Sequence, residues 1–297
     1  MQNNSIIDFL KSQYKYGGMS VKIIMANAIV FVIMILLKII SELFLASGLH
    51  NTIGELLSMP GTFEGLLYRP WSIVTALFTH FELGHFFWNM LMFYFTSKLF
   101  VQFFGNTRLL STYIFGGIFG GLIHILSYLI FPYFANQVPA SIVGASAAVS
   151  AIVGALVFYK PELKVKLFFT IEVPFWVLGL LFIAGDLINL TAEDGVAHFA
   201  HLGGVAFGII SVLKANQHSN FMNRLDKLIS TKFTFKKQPK MKVYRNSDAK
   251  KMTDEQYNSN KAGKQQQMDA ILDKISAHGY ERLSQREKDF LFKFGNE

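Results

Sequence analysis

The sequence contains no cysteine among its 297 residues. A disulfide, a thiolate metal site and a thiol nucleophile are therefore excluded. Charge is also scarce, because only 16% of the residues are Asp, Glu, Lys or Arg, whereas 52% are hydrophobic. Soluble domains average about 25% charged residues, so this composition is typical of a membrane protein.

The positive charge of the chain is concentrated at its C-terminal end. Residues 215–297 contain 17 Lys and Arg against 10 Asp and Glu, which gives +7 of the net charge of +8. A basic segment that directly follows a hydrophobic body is typical of the cytoplasmic flank of a membrane protein, where it faces anionic lipids. We therefore expect the lipid bilayer, and not nucleic acid, to be the partner of this charge.

Long apolar runs predict transmembrane helices, since a bilayer core of about 30 Å takes roughly 20 apolar residues per helix. Six segments meet this criterion: about 21–45, 83–104, 109–131, 142–159, 173–191 and 196–214. The fold class predicted is all-α, a polytopic six-helix membrane bundle followed by a small helical tail. The expected regions are a cytoplasmic segment at 1–20, the membrane domain at 21–214, a basic linker at 215–264 and a helical hairpin at 265–297.

Basic residues in the short loops predict the orientation of the bundle. Lys98 and Arg108 flank the turn between the second and third spans, and Lys160 and Lys164 lie between the fourth and fifth. The alternate loops carry few basic residues. By the positive-inside rule both termini are predicted to be cytoplasmic, which agrees with an even number of spans.

Polar side chains inside the predicted spans mark a candidate site, because they are costly in lipid. The second, fourth and sixth spans all run from the outer to the inner side. His85, Asn89, Ser146 and His201 each lie within the first two turns of their own span. These four residues are therefore expected at one depth, just below the outer surface.

Ser146 and His201 suit nucleophilic catalysis, because a serine hydroxyl becomes reactive when a base accepts its proton. Ser146 lies in a run of small residues that begins at Gly144, and His201 shares a helix face with Gly204 and Gly208. Small residues allow two helices to approach closely. The spacing therefore predicts that these two helices pack together around the reactive pair.

An oxyanion formed during such a reaction needs hydrogen-bond donors. The Asn89 amide, the His85 ring and the Ser146 backbone N–H are all expected at the required depth. No metal and no cofactor is needed for this chemistry.

These motifs resemble those of the rhomboid family of intramembrane serine proteases. The second-helix pattern is present as HFELGHFFWNM, with His80, His85 and Asn89, and the serine motif as GASAAVSAIVGAL, with Ser146 in the nucleophile position. The sixth-helix motif AHFAHLGGVAFG assigns the base to His201 instead of His198. The resemblance covers about residues 60–214.

The resemblance implies a compact six-helix bundle that cleaves single-span transmembrane proteins near their outer ends. It also implies a Ser–His dyad without an orienting carboxylate and, for this chain, a bacterial cytoplasmic membrane. Asp186 is then expected to serve in helix packing or to line the cavity, with membership of a triad as the alternative. No oligomeric state follows from the sequence.

Two residues depart from the rhomboid pattern. Ala147 replaces the glycine that usually follows the serine, and Ser150 replaces an aromatic residue that would pack against the catalytic histidine. We interpret both as variation in packing or substrate range, with weakened activity as the alternative.

Other functions remain open from the residues. A catalytically weak or inactive relative would bind transmembrane helices without cleaving them. A metal-dependent membrane enzyme could use the four histidines at positions 80, 85, 198 and 201. A transporter is disfavoured because no paired charges or repeated halves occur.

Overall fold

The computed structural model describes residues 5–44, 47–167, 170–192, 194–213, 215, 217, 219–233 and 253–294. These residues form two compact units, one within residues 1–235 and the other within residues 236–297. Six lysines of the predicted basic linker lie outside the described residues, namely Lys236, Lys237, Lys240, Lys242, Lys250 and Lys251.

The first unit is built almost entirely from helices, which confirms the all-α fold class. Its helices are α1 (Ile6–Tyr16), α2 (Gly18–Leu43), α3 (Ser47–Leu57), α4 (Phe63–Tyr68), α5 (Ser72–Thr75), α6 (Leu83–Ile130), α7 (Ser146–Tyr159), α8 (Phe175–Ile188), α9 (His198–Val212) and α10 (Met222–Phe233). Short 3₁₀ turns follow α5, at Ala76–Phe78, and α6, at Pro132–Phe134. An antiparallel hairpin of β1 (Lys164–Leu167) and β2 (Ile171–Pro174) connects α7 to α8.

The second and third predicted spans together form α6, in which the helix is interrupted at Gly105. This glycine has φ 78° and ψ 174°, a left-handed conformation that favours glycine. The turn predicted at Gly105 is therefore confirmed as a sharp change in chain direction between two helical halves.

Two helices are suited in length and composition to cross a membrane, namely α2 and α6. Helices α7, α8 and α9 are apolar but shorter, at 14, 14 and 15 residues. All six predicted spans thus correspond to helical segments, although the last three segments are shorter than predicted. The number of membrane crossings stays a prediction.

Helix α7 begins four residues later than expected because the chain before it is extended. Ile142 exchanges two backbone hydrogen bonds with Met59, at 2.9 and 3.0 Å, in an isolated antiparallel bridge. Gly144 then adopts φ +111°. Ser146 consequently becomes the first residue of the helix.

Helix α7 is the centre of the first unit, since every residue from Ala147 to Leu156 is buried. It packs against α6 on one side and α9 on the other. A methyl group at Gly204 would overlap the Ala147 carbonyl oxygen, and one at Gly208 would overlap that of Ala151. The predicted close packing through these two glycines is therefore present.

The predicted linker contains a packed helix. Arg108, at the start of the second half of α6, is buried and donates from Nε to Asp226 Oδ2 of α10 at 2.5 Å. Its Nη2 donates to Asn223 Oδ1 at 2.8 Å. Helix α10 thus belongs to the first unit, and residues 222–233 of the predicted linker form a helix that contacts α6.

The second unit contains α11 (Asp254–His278) and α12 (Gln285–Phe294), with a 3₁₀ turn at Tyr280–Arg282 between them. Helix α11 ends at Gly279, which has φ +80°. The Ser284 amide donates to Glu287 at 2.7 Å at the start of α12. Helix α11 starts earlier than residue 265, because Thr253 and Gln256 form a capping box.

Candidate active site

Residues from three helices of the first unit line one cavity of about 940 Å³. His85 and Asn89 come from α6, Ser146 from α7 and His201 from α9. These are the four residues that the sequence predicted at one depth. Their catalytic roles stay predictions, whereas their common location in one cavity is a property of the fold.

Ser146 stands at the N-terminus of α7, where its backbone N–H has no partner within the helix. The preceding loop is fixed by the Gly144 N–H, which donates to the Ala76 carbonyl at 2.8 Å. A side chain at Gly144 would lie 2.7 Å from the His85 ring. Gly144 is therefore required both for its positive φ and for the approach of His85 to the serine loop.

His80 supports the same loop from the segment before α6. It is fully buried, and its Nε2 accepts a hydrogen bond from the Ala145 N–H at 3.3 Å. Burial lowers the pKa of His80 to about 4, and the neighbouring His85 contributes to this shift. A neutral His80 ring is consistent with its role as an acceptor at Nε2.

Asn89 and His85 are linked within α6. The Asn89 amide donates to the His85 carbonyl oxygen at 2.9 Å, and Asn89 is only 8% exposed. The second N–H of this amide remains available toward the cavity, which Asn89 lines. The Asn89 side-chain N–H and the Ser146 backbone N–H are therefore two potential donors beside the serine.

Asp186 of α8 contacts His201, as the alternative of a triad requires. Its Oδ1 lies 2.8 Å from His201 Nδ1 and 2.7 Å from His198 Nδ1. Asp186 is 6% exposed. The sequence could not reveal this contact, because periodicity within α8 does not specify how that helix is rotated relative to α9.

His198 extends the hydrogen-bond network of Asp186 to Asp194, in the segment before α9. Its Nε2 lies 3.2 Å from Asp194 Oδ2. The pKa of Asp194 is lowered, mainly by the Val196 N–H that donates to it and also by His198. The sequence indicated His198 only as a rival base and as a ligand of the metal alternative, and it did not predict Asp194, which only its proximity to His201 in sequence could have suggested.

No hydrogen bond between Ser146 Oγ and His201 occurs within the described residues. Catalytic hydrogen bonds in unliganded enzymes are often long and tighten when the substrate binds. His201 donates or accepts at Nδ1 with Asp186, so its Nε2 is the atom available toward the cavity.

The two departures from the rhomboid pattern have structural counterparts. The Ala147 methyl fits because the facing residue of α6 is Gly120, where an added Cβ would lie 2.8 Å from it. Ser150 is buried and donates to the Ser146 carbonyl at 2.7 Å. The aromatic contact with His201 comes instead from Phe182 of α8, with ring centroids 6.1 Å apart and planes at 26°.

Asp186, His198 and His201 could also hold a metal ion, since their ligand atoms all lie within 4.8 Å of one another. Two histidine nitrogens and a carboxylate oxygen suit zinc. However, the hydrogen bonds between Asp186 and the two rings account for the arrangement of the three side chains. The other two histidines of the metal alternative, His80 and His85, form a separate pair with ring centroids 5.0 Å apart.

Comparison with known proteins identifies the two parts of the chain separately. The model of the rhomboid domain matches residues 68–216, and a family of unknown function (DUF6576) matches residues 251–296. The chain is 27% identical over 199 residues to RHOMBOID-like protein 12, mitochondrial, of Arabidopsis thaliana. That alignment covers 64% of this chain, and the chain spans 56% of the length of this relative.

The rhomboid match covers half of the chain and includes all the cavity residues named above. Members of this family are integral membrane proteins that act on transmembrane substrates within the bilayer. On the agreement of the domain match, the helical bundle and the position of the motifs, the protein belongs to the rhomboid family.

Proposed function

We propose that this rhomboid is a serine endopeptidase that cleaves transmembrane helices near the outer face of the membrane. The observation that carries the proposal is the shared cavity of Ser146, His201, His85 and Asn89, which come from three different helices. Chance placement of a serine, a histidine and two potential oxyanion donors around one membrane-embedded cavity is improbable, because each polar side chain there has a cost.

In the proposed reaction, Ser146 Oγ attacks the scissile carbonyl carbon while His201 Nε2 accepts the hydroxyl proton. The tetrahedral intermediate collapses when His201 returns this proton to the leaving amine. Water then hydrolyses the acyl-enzyme with the same base. The Asn89 amide, the His85 ring and the Ser146 N–H would stabilise the oxyanion, each donor contributing about 3–4 kcal/mol.

The lengths of α7 and α9 support access of water to this reaction. A helix of 14 residues is about 21 Å long, which is less than the ~30 Å hydrocarbon core. The start of α7 can therefore lie below the outer surface while its other end reaches the inner side. The cavity at this position has polar side chains that can bind water.

The proposed substrates are single-span membrane proteins. A peptide carbonyl inside a helix is shielded by its neighbours and bonded to an N–H four residues on, so cleavage requires local unwinding. Unwinding is least costly near the end of a span, where water can satisfy the released backbone groups. We therefore propose cleavage near the outer end of the substrate helix, without cofactor, metal or nucleic acid.

We also propose that both termini face the cytoplasmic side, on the basis of the loop lysines and arginines. A bacterial cytoplasmic membrane stays a prediction from the sequence. The curated relative is named as mitochondrial, so its membrane gives no support for a bacterial location.

A catalytically weak or inactive rhomboid is the second candidate. It is favoured by the lack of a hydrogen bond between Ser146 and His201 within the described residues. The curated relative is also named as rhomboid-like. Such a protein would bind transmembrane helices in the same cavity without breaking a peptide bond.

The decisive experiment compares the purified full chain and Ser146→Ala in liposomes that contain a panel of tagged single-span proteins. Cleavage by the wild-type protein and its loss in Ser146→Ala would support the protease. Ser211→Ala is the matched control, because Ser211 is buried in α9 and its hydroxyl donates to the Gly208 carbonyl of the same helix. Binding without cleavage by both proteins would favour the inactive candidate, and equal cleavage by both would contradict Ser146 as nucleophile.

A further inference from the structure

The carboxylate beside His201 has no assigned role in a two-residue mechanism. Asp186 Oδ1 lies 2.8 Å from His201 Nδ1, on the ring nitrogen opposite the one that would face Ser146. Asp186 Oδ2 is buried and has no hydrogen-bond partner among the described residues. A buried carboxylate oxygen without a partner is costly, so its retention calls for an explanation.

Orientation of the base supplies such an explanation. A neutral imidazole carries its proton on one nitrogen only, and a carboxylate at Nδ1 holds the proton there. Nε2 then keeps a lone pair that can accept the Ser146 proton. After the transfer, the carboxylate also stabilises the positive charge that develops on the His201 ring.

His198 holds Asp186 in this position. Its Nδ1 lies 2.7 Å from the same oxygen that contacts His201, and its Nε2 lies 3.2 Å from Asp194. The Asp186 oxygen therefore lies within hydrogen-bond distance of both rings, and the contact with His198 restricts its place independently of His201. A carboxylate anchored by a second histidine can restrict the catalytic ring without moving with it.

A second constraint on the His201 ring comes from Phe182, which lies on α8 together with Asp186. Phe182 stacks on the His201 ring, with 26° between the planes. Phe182 and Asp186 are four residues apart on α8 and therefore share one helix face. One side chain fixes the tilt of the ring and the other fixes its rotation about the Cβ–Cγ bond.

This face of α8 compensates for a missing contact on α7. Ser150 occupies the position at which the resemblance implies an aromatic residue against the histidine, and its hydroxyl bonds back to the Ser146 carbonyl at 2.7 Å. The stacking partner of His201 lies on α8, and Asp186 lies beside it on the same helix.

We propose that Asp186 is a positioning residue for His201, so that the reactive centre is a Ser146–His201–Asp186 triad in which α8 orients the base. This inference rests on the proposed proteolysis. It differs from the dyad that the sequence predicted, because it makes the base depend on a helix that carries none of the rhomboid motifs.

The first test measures kcat and KM of the reconstituted full chain for Asp186→Asn and Asp186→Glu. The amide has nearly the same volume, but it is neutral and carries an NH₂ group that can face Nδ1 and favour the other neutral tautomer of His201. We expect kcat to fall by about 10²- to 10⁴-fold with KM nearly unchanged, and Asp186→Glu to recover part of the loss. Asp226→Asn, which removes a carboxylate that contacts Arg108 instead, is the matched control.

A second measurement on the wild-type protein covers the case in which Asp186→Asn does not fold. The ring ¹⁵N shifts of the eight histidines distinguish the two neutral tautomers, and His201→Gln identifies the resonances of His201. The triad requires the proton of His201 on Nδ1. A neutral His201 with its proton on Nε2 would overturn the proposal.

The outcomes separate this inference from the proposed function. If Ser146→Ala is inactive but Asp186→Asn retains kcat within about threefold of wild type, the triad is wrong and the dyad stands. If the wild-type protein does not cleave any substrate while its His201 proton lies on Nδ1, the orientation by Asp186 is supported and proteolysis is not. If KM rises and kcat is unchanged, Asp186 acts in substrate binding, which also contradicts the proposal.

Discussion

Gly208→Ala tests whether the contact between α7 and α9 sets the distance between nucleophile and base. A methyl group at this position would lie 2.8 Å from both the Ala151 carbonyl carbon and the Ala155 nitrogen, and would overlap the Ala151 oxygen. Ordinary contacts begin at 3.4 Å. Since these atoms belong to the backbone of α7, α9 has to move away by about 1 Å instead of a side chain rotating.

The displacement has two measurable consequences. Overpacking of a tightly packed interior costs roughly 1–3 kcal/mol of stability. His201 lies seven residues before Gly208 on the same helix face, so it moves with the helix. A misplacement of about 1 Å can reduce the rate by on the order of 10²-fold. We therefore expect a lower thermal midpoint and a much lower kcat.

The assay is cleavage of a single-span substrate in liposomes, together with thermal unfolding of the same preparations. Gly185→Ala is the matched control, because no atom lies within 4 Å of a methyl group at this helical glycine. It should preserve cleavage and raise stability by up to about 1 kcal/mol, since alanine favours helix. The reasoning would be refuted if Gly208→Ala cleaved and unfolded like the wild-type protein.

Three further predictions concern other parts of the chain. Gly144→Ala should abolish most cleavage while the protein stays folded, because φ +111° and the 2.7 Å approach of the His85 ring both exclude a side chain; full activity in the liposome assay would contradict this. In the second unit, the Lys274 ammonium and the Ser284 cap lower the pKa of Glu287 from 4.5 to about 2. Stabilisation of α12 by Glu287 is thus complete above pH 4.5 and is lost as the pH falls toward 2, so amide exchange in α12 should accelerate over this range, and Glu287→Gln should remove that dependence. Finally, chelators should leave cleavage unchanged, and activity that disappears with EDTA and returns with zinc would favour a metal-dependent enzyme.

Much of the fold could be predicted from the sequence, because the patterns that predict it lie within single helices. Apolar length predicted all six helical segments. The sequence also predicted a common depth for the site residues, because Ser146 and His201 fall at the same end of two spans that run in the same direction. Depth follows from chain direction and residue count, both of which are visible in the sequence.

The sequence does not determine how one helix is rotated about its own axis relative to its neighbours. Helix α8 is apolar on nearly all sides, so its pattern does not say whether Asp186 faces α9 or another neighbour. Helix α10 was missed for a related reason, because its pairing with Arg108 joins residues more than 100 positions apart. Contacts of this kind depend on the packed bundle, and neither periodicity nor loop charge determines them.

The short central helices connect the fold to the chemistry. A full-length span would place its first residue at the membrane surface, where a serine would face bulk water and a substrate helix would be out of reach. Helix α7 instead begins at Ser146 after an extended segment that is held by Met59 and by the positive φ of Gly144. The residues that would have formed its first turn form the wall of the cavity. Because this helical turn is absent, the first N–H groups of α7 near the serine have no partner within the helix. The same absence leaves space beside them in which a substrate carbonyl oxygen could accept hydrogen bonds from these groups.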